Sequence, residues 1–390
     1  MEKFDKMAKL RGDSLGIYLH VPFCSTTCDF CAFYQEAPRR QGIVEYLDGI
    51  DRELSLIEAP EKKVDTCFWG GGTPGLLPAG DLDRLCKAVV SKFGQPQHEW
   101  TVEMAPSSVR KDKLQALKDN GVTRISMGVQ SWDDGLLESL GRLHTSKLAR
   151  KALDLVQEVG FESINLDLIF AIPGQTAEQW RSDLSKTLSL GIDHISTYCL
   201  TFEEDTALYV KLSEGKVSID TEKETAFYRV SWEETERAGF EQYEISNYAK
   251  KGHECLHNLN TWRMDEWIGV GPSAASQSEL KRYSNPADLK NWLGDLKEGR
   301  RGLASEPEVL DAGILFEDCL IFGLRMNEGV NLDTLKNRFG RDLPESVKDS
   351  MEQLEGEGKL VKEGGKLRLT GEGRLVADAI GTELLGRFSD

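Results

Sequence analysis

The chain has 390 residues, 65 acidic and 48 basic, with a net charge of −17 at neutral pH. That balance excludes a nucleic-acid backbone as the main partner, which would call for clustered Lys and Arg. An apolar fraction of 39%, with no run as long as a membrane span, reads as a soluble protein with room for one barrel plus an appendage. Taken from the start, residues 1–12 are charged and lack the apolar core of a signal peptide. Cytoplasmic localisation is therefore expected, with the eight cysteines reduced rather than paired.

From residue 15 to about 240, β-like runs at 16–21, 64–69, 100–104, 124–129, 164–169 and 194–200 alternate with helical patterns. The helical patterns fall at 43–58, 80–92, 107–119, 146–159, 177–190 and 221–238. Glycine-led turns follow several of them, as at Asn120-Gly121, Val159-Gly160 and Ala238-Gly239. Six successive βα units predict an α/β fold with a parallel sheet, either open or barrel-shaped. Residues 286–308, with Pro286, Pro307 and Lys297-Glu-Gly-Arg-Arg, read as a linker. Helical patterns at 311–323, 331–339 and 344–356 then precede two short strands around Gly364-Gly365, which suggests a winged-helix-like module. The stretch 306–390 carries 18 acidic against 11 basic residues, so a packing or lid role fits it better than DNA reading.

Chemistry gathers at the strand ends. Cys24, Cys28 and Cys31 form C-x3-C-x2-C just after the first strand, with no fourth cysteine close behind. Three thiolates leave one iron of a [4Fe–4S] cluster open to a ligand. The plainer reading is a structural zinc with His20 or a remote residue as fourth ligand, but no second ligand pair accompanies the triplet. Gly70-Gly71-Gly72-Thr73-Pro74 follows the second strand. It is either a tight turn or a place where bare backbone approaches a ligand, and it lacks the Lys-Ser/Thr of a P-loop. Glu103, Gln130 and Asp167 stand in or at the end of later strands, where an unpartnered buried polar group costs about 1–3 kcal/mol. Arg142 supplies positive charge for a carboxylate. Their recurrence at strand ends points to one shared site.

Together, the triplet, GGGTP, Glu103, Gly128-Val-Gln130, Leu140-Gly-Arg142 and Asn165-Leu-Asp-Leu-Ile-Phe-Ala-Ile-Pro-Gly resemble the radical S-adenosylmethionine proteins of the oxygen-independent coproporphyrinogen III oxidase family. The resemblance runs from about residue 15 to the C-terminus. It implies a partial (β/α)6 barrel with a C-terminal mainly helical, winged-helix-like domain. It also implies a [4Fe–4S] cluster on Cys24, Cys28 and Cys31, with S-adenosylmethionine chelating the open iron. Tyr18, Phe30, Gly71, Gly72, Thr73, Glu103, Gln130, Arg142 and Asp167 match the family's cofactor-contacting positions.

Within the family, the decarboxylases carry a cysteine two positions after the third ligand, where this chain has Phe33. They also have a longer segment ahead of the first cysteine. Both features resemble the HemW-type heme chaperone branch instead. Cys255-Leu-His257-Asn258-Leu-Asn260-Thr261-Trp262 is similar to that branch's His-Asn-x-x-Tyr-Trp motif, with Thr261 in the tyrosine's place. The resemblance makes His257 the candidate heme ligand and Trp262 a surface for the porphyrin. It implies as partners heme or another tetrapyrrole, a heme-acceptor protein, and an electron donor such as a flavodoxin or ferredoxin. An oxygen-independent coproporphyrinogen III oxidase, or another tetrapyrrole-modifying enzyme, is the alternative function. The expected division is a core of 1–285, with the heme motif at about 241–285, a linker of 286–308 and a C-terminal domain of 309–390.

Overall fold

Six short strands whose apolar residues alternate build the frame: β1 (Leu15–Val21), β2 (Thr66–Gly71), β3 (Glu99–Met104), β4 (Arg124–Gln130), β5 (Ser163–Phe170) and β6 (His194–Cys199). The computed structural model describes residues 12–388; the charged segment preceding them, in which no signal core is read, lies outside the described residues. Helices α1 (Arg40–Leu56), α2 (Ala79–Phe93), α3 (Lys111–Asp119), α4 (Asp134–Ser139), α5 (Ser146–Val159) and α6 (Ala177–Leu188) connect the strands. Neighbouring strands from β1 to β6 all pair in parallel, as crossover helices require.

β6 does not pair back onto β1. Its free edge takes β8 (Asn247–Ala249) antiparallel, with β7 (Glu241–Gln242) outermost. At the other end, β9 (Glu266–Val270) joins β1 in parallel, followed by β10 (Ala275–Ser278), β11 (Lys281–Ser284) and β12 (Glu308–Val309). The barrel is therefore partial and open along one side.

Strand periodicity of two sends alternate residues to opposite faces. Ile17, Leu19, Trp69, Val102, Ile125, Met127, Leu166 and Leu168 are wholly buried among residues of the covering helices such as Tyr46, Leu82, Leu114, Leu153 and Leu184. Each such aliphatic side chain contributes about 1.5–3 kcal/mol of transfer free energy. The opposite, inward face carries the polar residues and glycines.

Beyond β6, α7 (Ala207–Ser213) and α8 (Thr221–Arg237) precede the sheet extensions, and α9 (Leu256–Trp262) crosses the barrel floor. The stretch 286–308 departs from the expected linker. It contains α10 (Leu289–Lys297), whose Trp292, Leu293 and Leu296 are buried, and Trp292 packs on Tyr46 of α1. The flanking prolines and charged run mask a short amphipathic turn pattern within it. The C-terminal unit has its own core around Phe316, Leu320, Met351 and Leu384. It comprises α11 (Ala312–Gly323), α12 (Leu332–Phe339) and α13 (Glu345–Gly356), then a small sheet of β13 (Val330–Asn331), β15 (Lys366–Leu369) and β14 (Leu360–Glu363), with α14 (Gly371–Arg374) and α15 (Ala377–Phe388) closing it. Among the described residues, no helix is long and apolar enough to cross a membrane.

Candidate functional site

On each barrel strand the solvent reaches one level of the inward face. Tyr18, Phe68, Glu103, Gly128 and Asp167 are half-buried between fully buried strand neighbours, and Tyr198 of β6 is 41% exposed. Register explains the coincidence: Tyr18 lies beside Phe68, and Gly128 beside Asp167. The ring of exposure is a cavity inside the partial barrel, lined by an alternation visible in the sequence.

The cysteine loop closes the upper rim of this cavity. Both loop ends are tied down: Cys24 N–H donates to the Glu36 carbonyl at 3.0 Å, and Glu36 N–H to that of Pro22 at 2.7 Å. In the loop's middle, Asp29 N–H donates to the Leu140 carbonyl at 3.1 Å, and its own carbonyl accepts from Leu208 N–H at 2.9 Å. Cys24, Cys28 and Cys31 are free thiols at intermediate depth. Burial pushes the thiols of Cys24 and Cys31 up, neighbouring thiols add to the effect, and the Arg142 cation opposes it. Iron binding at these positions would supply the charge that holds them as thiolates.

The glycine run meets that loop directly. Gly72 N–H and Thr73 N–H donate to the carbonyls of Val21 and Phe23, both at 2.8 Å, and Thr73 Oγ1 lies 3.7 Å from Cys24 Sγ. Gly71 has φ of +96°, and a β-carbon there would stand 2.3 Å from the His20 ring. Only glycine meets both conditions.

Glu103, Gln130, Arg142 and Asp167 converge on the same cavity. Asp167 accepts from Ser126 Oγ at 3.1 Å and Asn165 Nδ2 at 2.7 Å. Burial, together with the negative charge of Asp167, pushes the Glu103 carboxyl up to about 8, although the Gly71 N–H donates to it. Gln130 sits at a β-bulge with φ of +70°. Its Oε1 and the Nε of Arg142 are buried with no hydrogen-bond partner among the described residues. A β-carbon on Gly128 would lie 2.7 Å from Gln130 Nε2 and 3.1 Å from Arg142 Nη2, so the missing side chain is what admits both groups. Phe30 lies with its ring 5.7 Å from the Arg142 guanidinium.

His20 does not serve the zinc reading. Its Nε2 is bonded to the Tyr34 carbonyl and its Nδ1 to Tyr18 Oη, both at 3.2 Å. Among the described residues, no three His, Cys, Asp or Glu side chains converge to hold a single metal ion. A cluster takes one thiolate per iron, so its three sulfurs need not meet at one point.

His257 stands apart from this rim. It packs beneath the strand starts: its Nδ1 lies 2.9 Å from Thr66 Oγ1, its ring stacks on Phe68 at 5.4 Å, and it fills the space above Gly16. Gly16 is paired with Thr66, five residues before the end of β1, which is roughly 16 Å along the strand. Glu99 at the start of β3 fixes α9 there by accepting from the N–H groups of Leu256 and His257 at 3.0 and 3.2 Å. Burial lowers the His257 imidazole to about 4, so it is neutral at physiological pH. Its Nε2 makes no hydrogen bond among the described residues.

Comparison with known proteins agrees with this fold. Residues 18–186 match the model of the radical SAM superfamily, and residues 315–376 that of the HemN C-terminal domain. A heme chaperone HemW from Bacillus subtilis is 32% identical over 376 residues, covering 95% of this chain and 98% of its own. The chain belongs to the HemW heme chaperone family. A HemW from Escherichia coli is 34% identical over 67% of this chain and 69% of its own. Among solved structures, the E. coli coproporphyrinogen III oxidase HemN, a radical SAM enzyme, superposes with a TM-score of 0.83 at 21% identity, over 98% of this chain and 93% of that one; this likeness is one of fold.

As a radical SAM protein, this HemW-family member takes a [4Fe–4S] cluster and S-adenosylmethionine as cofactors. The residues present fit both. Three free thiols border the cavity, and the unpartnered Gln130 Oε1 and Arg142 Nε are an acceptor and a donor for the polar groups of an amino-acid-bearing nucleoside. Two residues that line a second cavity, beside α9, escaped the sequence reading. Tyr198 shares the alternation of the inward-facing residues and was legible on that ground. Arg325 comes from the C-terminal unit, and no local signal marks it.

Proposed function

We propose that this chain binds heme at the α9 motif and passes it to an acceptor protein, with the cluster and S-adenosylmethionine held at the upper rim. In this reading Cys24, Cys28 and Cys31 ligate the cluster. Gly71, Gly72 and Thr73 receive the methionine end of S-adenosylmethionine, Arg142 its carboxylate, and Glu103, Gln130 and Asp167 its remaining polar groups. Tyr18 and Phe30 flank the nucleoside. The bound cofactors supply one-electron chemistry at the rim; the chain's own residues orient them and keep their carboxylate partners desolvated.

The observation that carries the heme reading is the setting of α9. His257 is a neutral imidazole with one ring nitrogen steadied by Thr66 and the other unbonded, the state in which histidine ligates iron. On the same helix, Asn258, Thr261 and Trp262 line a cavity of about 320 Å³. The names of the HemW relatives support the same assignment. The division into a core of 1–285 and a C-terminal domain of 309–390, cytoplasmic residence, and reduction by a flavodoxin or ferredoxin belong to this proposal.

The test is a hemin titration of the cluster-loaded protein, comparing wild type with His257→Ala. A loss of the ligand-field signature on substitution is expected; unchanged binding and spectrum would remove His257 as ligand. Coproporphyrinogen III, S-adenosylmethionine and a reductant are supplied in parallel. Formation of decarboxylated porphyrinogen would overturn the chaperone reading in favour of an oxidase.

A further inference from the structure

The cavity beside α9 has three walls of different origin. Tyr198 and Asn247 come from the open edge of the sheet, Asn258 and Trp262 from the motif helix, and Arg325 from the segment just after α11. The C-terminal unit thus contributes a cation to a space otherwise built by the barrel. The Arg325 guanidinium lies over the Trp262 ring at 4.9 Å, and Trp262 in turn stacks on Phe322 at 6.2 Å. That sandwich holds the charge in place.

Arg325 is under-used where it sits. A guanidinium has five N–H donors, yet among the described residues its ion pair is with Asp378 through Nη1 alone, and its Nε is buried without a partner. The pair is lopsided: the Arg325 side chain is 22% exposed and that of Asp378 is 88% exposed. Asp378 can leave for water at little cost, whereas Arg325 cannot. Two more unpartnered buried atoms border the same space, the Trp262 Nε1 donor and the Asn247 Oδ1 acceptor, the latter on a residue only 4% exposed. A folded chain keeps few such atoms, and three around one cavity mark a place prepared for a polar ligand group.

We propose that Arg325 anchors a carboxylate of the tetrapyrrole, replacing its contact with Asp378 by a forked pair from Nε and Nη to the ligand. This rests on the heme reading given above and names a residue that determines which porphyrins the site holds. Heme joins a flat apolar macrocycle to two carboxylates on one edge. The cavity offers the exposed ring of Tyr198, with Trp262 beside it in the wall, to the first, and a planar donor fork to the second. Glu244, the acid in the wall, has Oε1 occupied by Ser246 N–H and Asn247 Nδ2. Its burial raises its carboxyl above the ordinary range, and the Arg325 cation opposes that shift.

The experiment titrates the cluster-loaded protein with hemin and, separately, with hemin dimethyl ester, whose carboxylates are blocked. Wild type, Arg325→Met and Asp378→Asn are compared by visible absorbance. Arg325→Met keeps an apolar stem over Trp262 and is expected to weaken hemin binding by about 10- to 100-fold, the range for losing a hydrogen bond to a charged group, while leaving the ester within about twofold. Asp378→Asn frees the guanidinium and is expected to tighten hemin severalfold without affecting the ester; it carries the test should Arg325→Met fail to fold. Equal losses for hemin and ester would make Arg325 a packing residue only, and hemin binding indifferent to both substitutions would overturn the anchor while leaving the heme reading intact. Failure of wild type to bind hemin at all would overturn the heme reading and this anchor with it.

Discussion

Replacing Glu103 by Gln should flatten part of the pH dependence of stability. Burial and the facing Asp167 raise this carboxyl from 4.5 to about 8 in the folded chain. Between those values the unfolded chain has lost the proton that the folded chain keeps, so stability falls as pH rises from 4.5 to 8 and levels off above. The full span corresponds to about 5 kcal/mol as an upper bound, reduced to about 2–3 kcal/mol because water in the cavity screens the group. Urea unfolding without S-adenosylmethionine, at pH 5 and pH 8.5, reads the difference directly. Wild type should lose more stability than Glu103→Gln over that interval, and the substituted chain should be the more stable of the two at pH 8.5. A cationic ligand stabilises the carboxylate, so S-adenosylmethionine affinity should rise with pH in wild type and not in Glu103→Gln. Parallel stability profiles, within about 0.5 kcal/mol of each other, would refute the assignment of Glu103 as a desolvated carboxyl in the cofactor cavity.

Other outcomes follow from the same geometry. Cys28→Ser should abolish the visible absorbance and most of the iron of the reconstituted protein with little change in far-ultraviolet circular dichroism; full iron retention would exclude Cys28 as ligand. Gly71→Ala forces a β-carbon into the His20 ring at positive φ and should cost about 1–3 kcal/mol in urea unfolding, together with weaker S-adenosylmethionine binding. A neutral result would mean that the 70–73 turn relaxes freely. Arg301, in the stretch 286–308, pairs at 3.0 Å with Glu53, which is 1% exposed. Among the described residues, Arg301→Met leaves that carboxylate with only the neutral donors Gly271 N–H, Asn285 Nδ2 and Trp292 Nε1. It should destabilise the chain by about 3 kcal/mol, and a loss under about 1 kcal/mol would show the segment to be loosely attached.

Much of the barrel was legible because its signal is local. Apolar alternation marks β1 to β6, and the polar residues that interrupt it, such as Glu103 and Asp167, are the ones whose inward faces meet solvent. Short helices escaped for the opposite reason. The pattern of α4, α7 and α9 is too brief to stand out, and each is held by contacts distant in sequence, as Glu99 holds the start of α9. The stretch 286–308 was misread where composition outweighed periodicity: prolines and charges surround Trp292, whose burial depends on Glu53 and Tyr46 far upstream.

The amino-acid sequence alone determined which groups share the rim, since three cysteines at fixed spacing and polar groups in or at the end of successive strands are covalent facts that a βα alternation must bring to one side of the barrel. Tertiary structure decided the rest. It set His257 at the floor rather than beside the cysteines, because a parallel strand carries its two ends to opposite faces of the barrel. It also brought Arg325 over Trp262, because the open edge beyond β6 leaves a gap that a separately folded unit can complete, and no local pattern in a chain records which distant residue will fill such a gap.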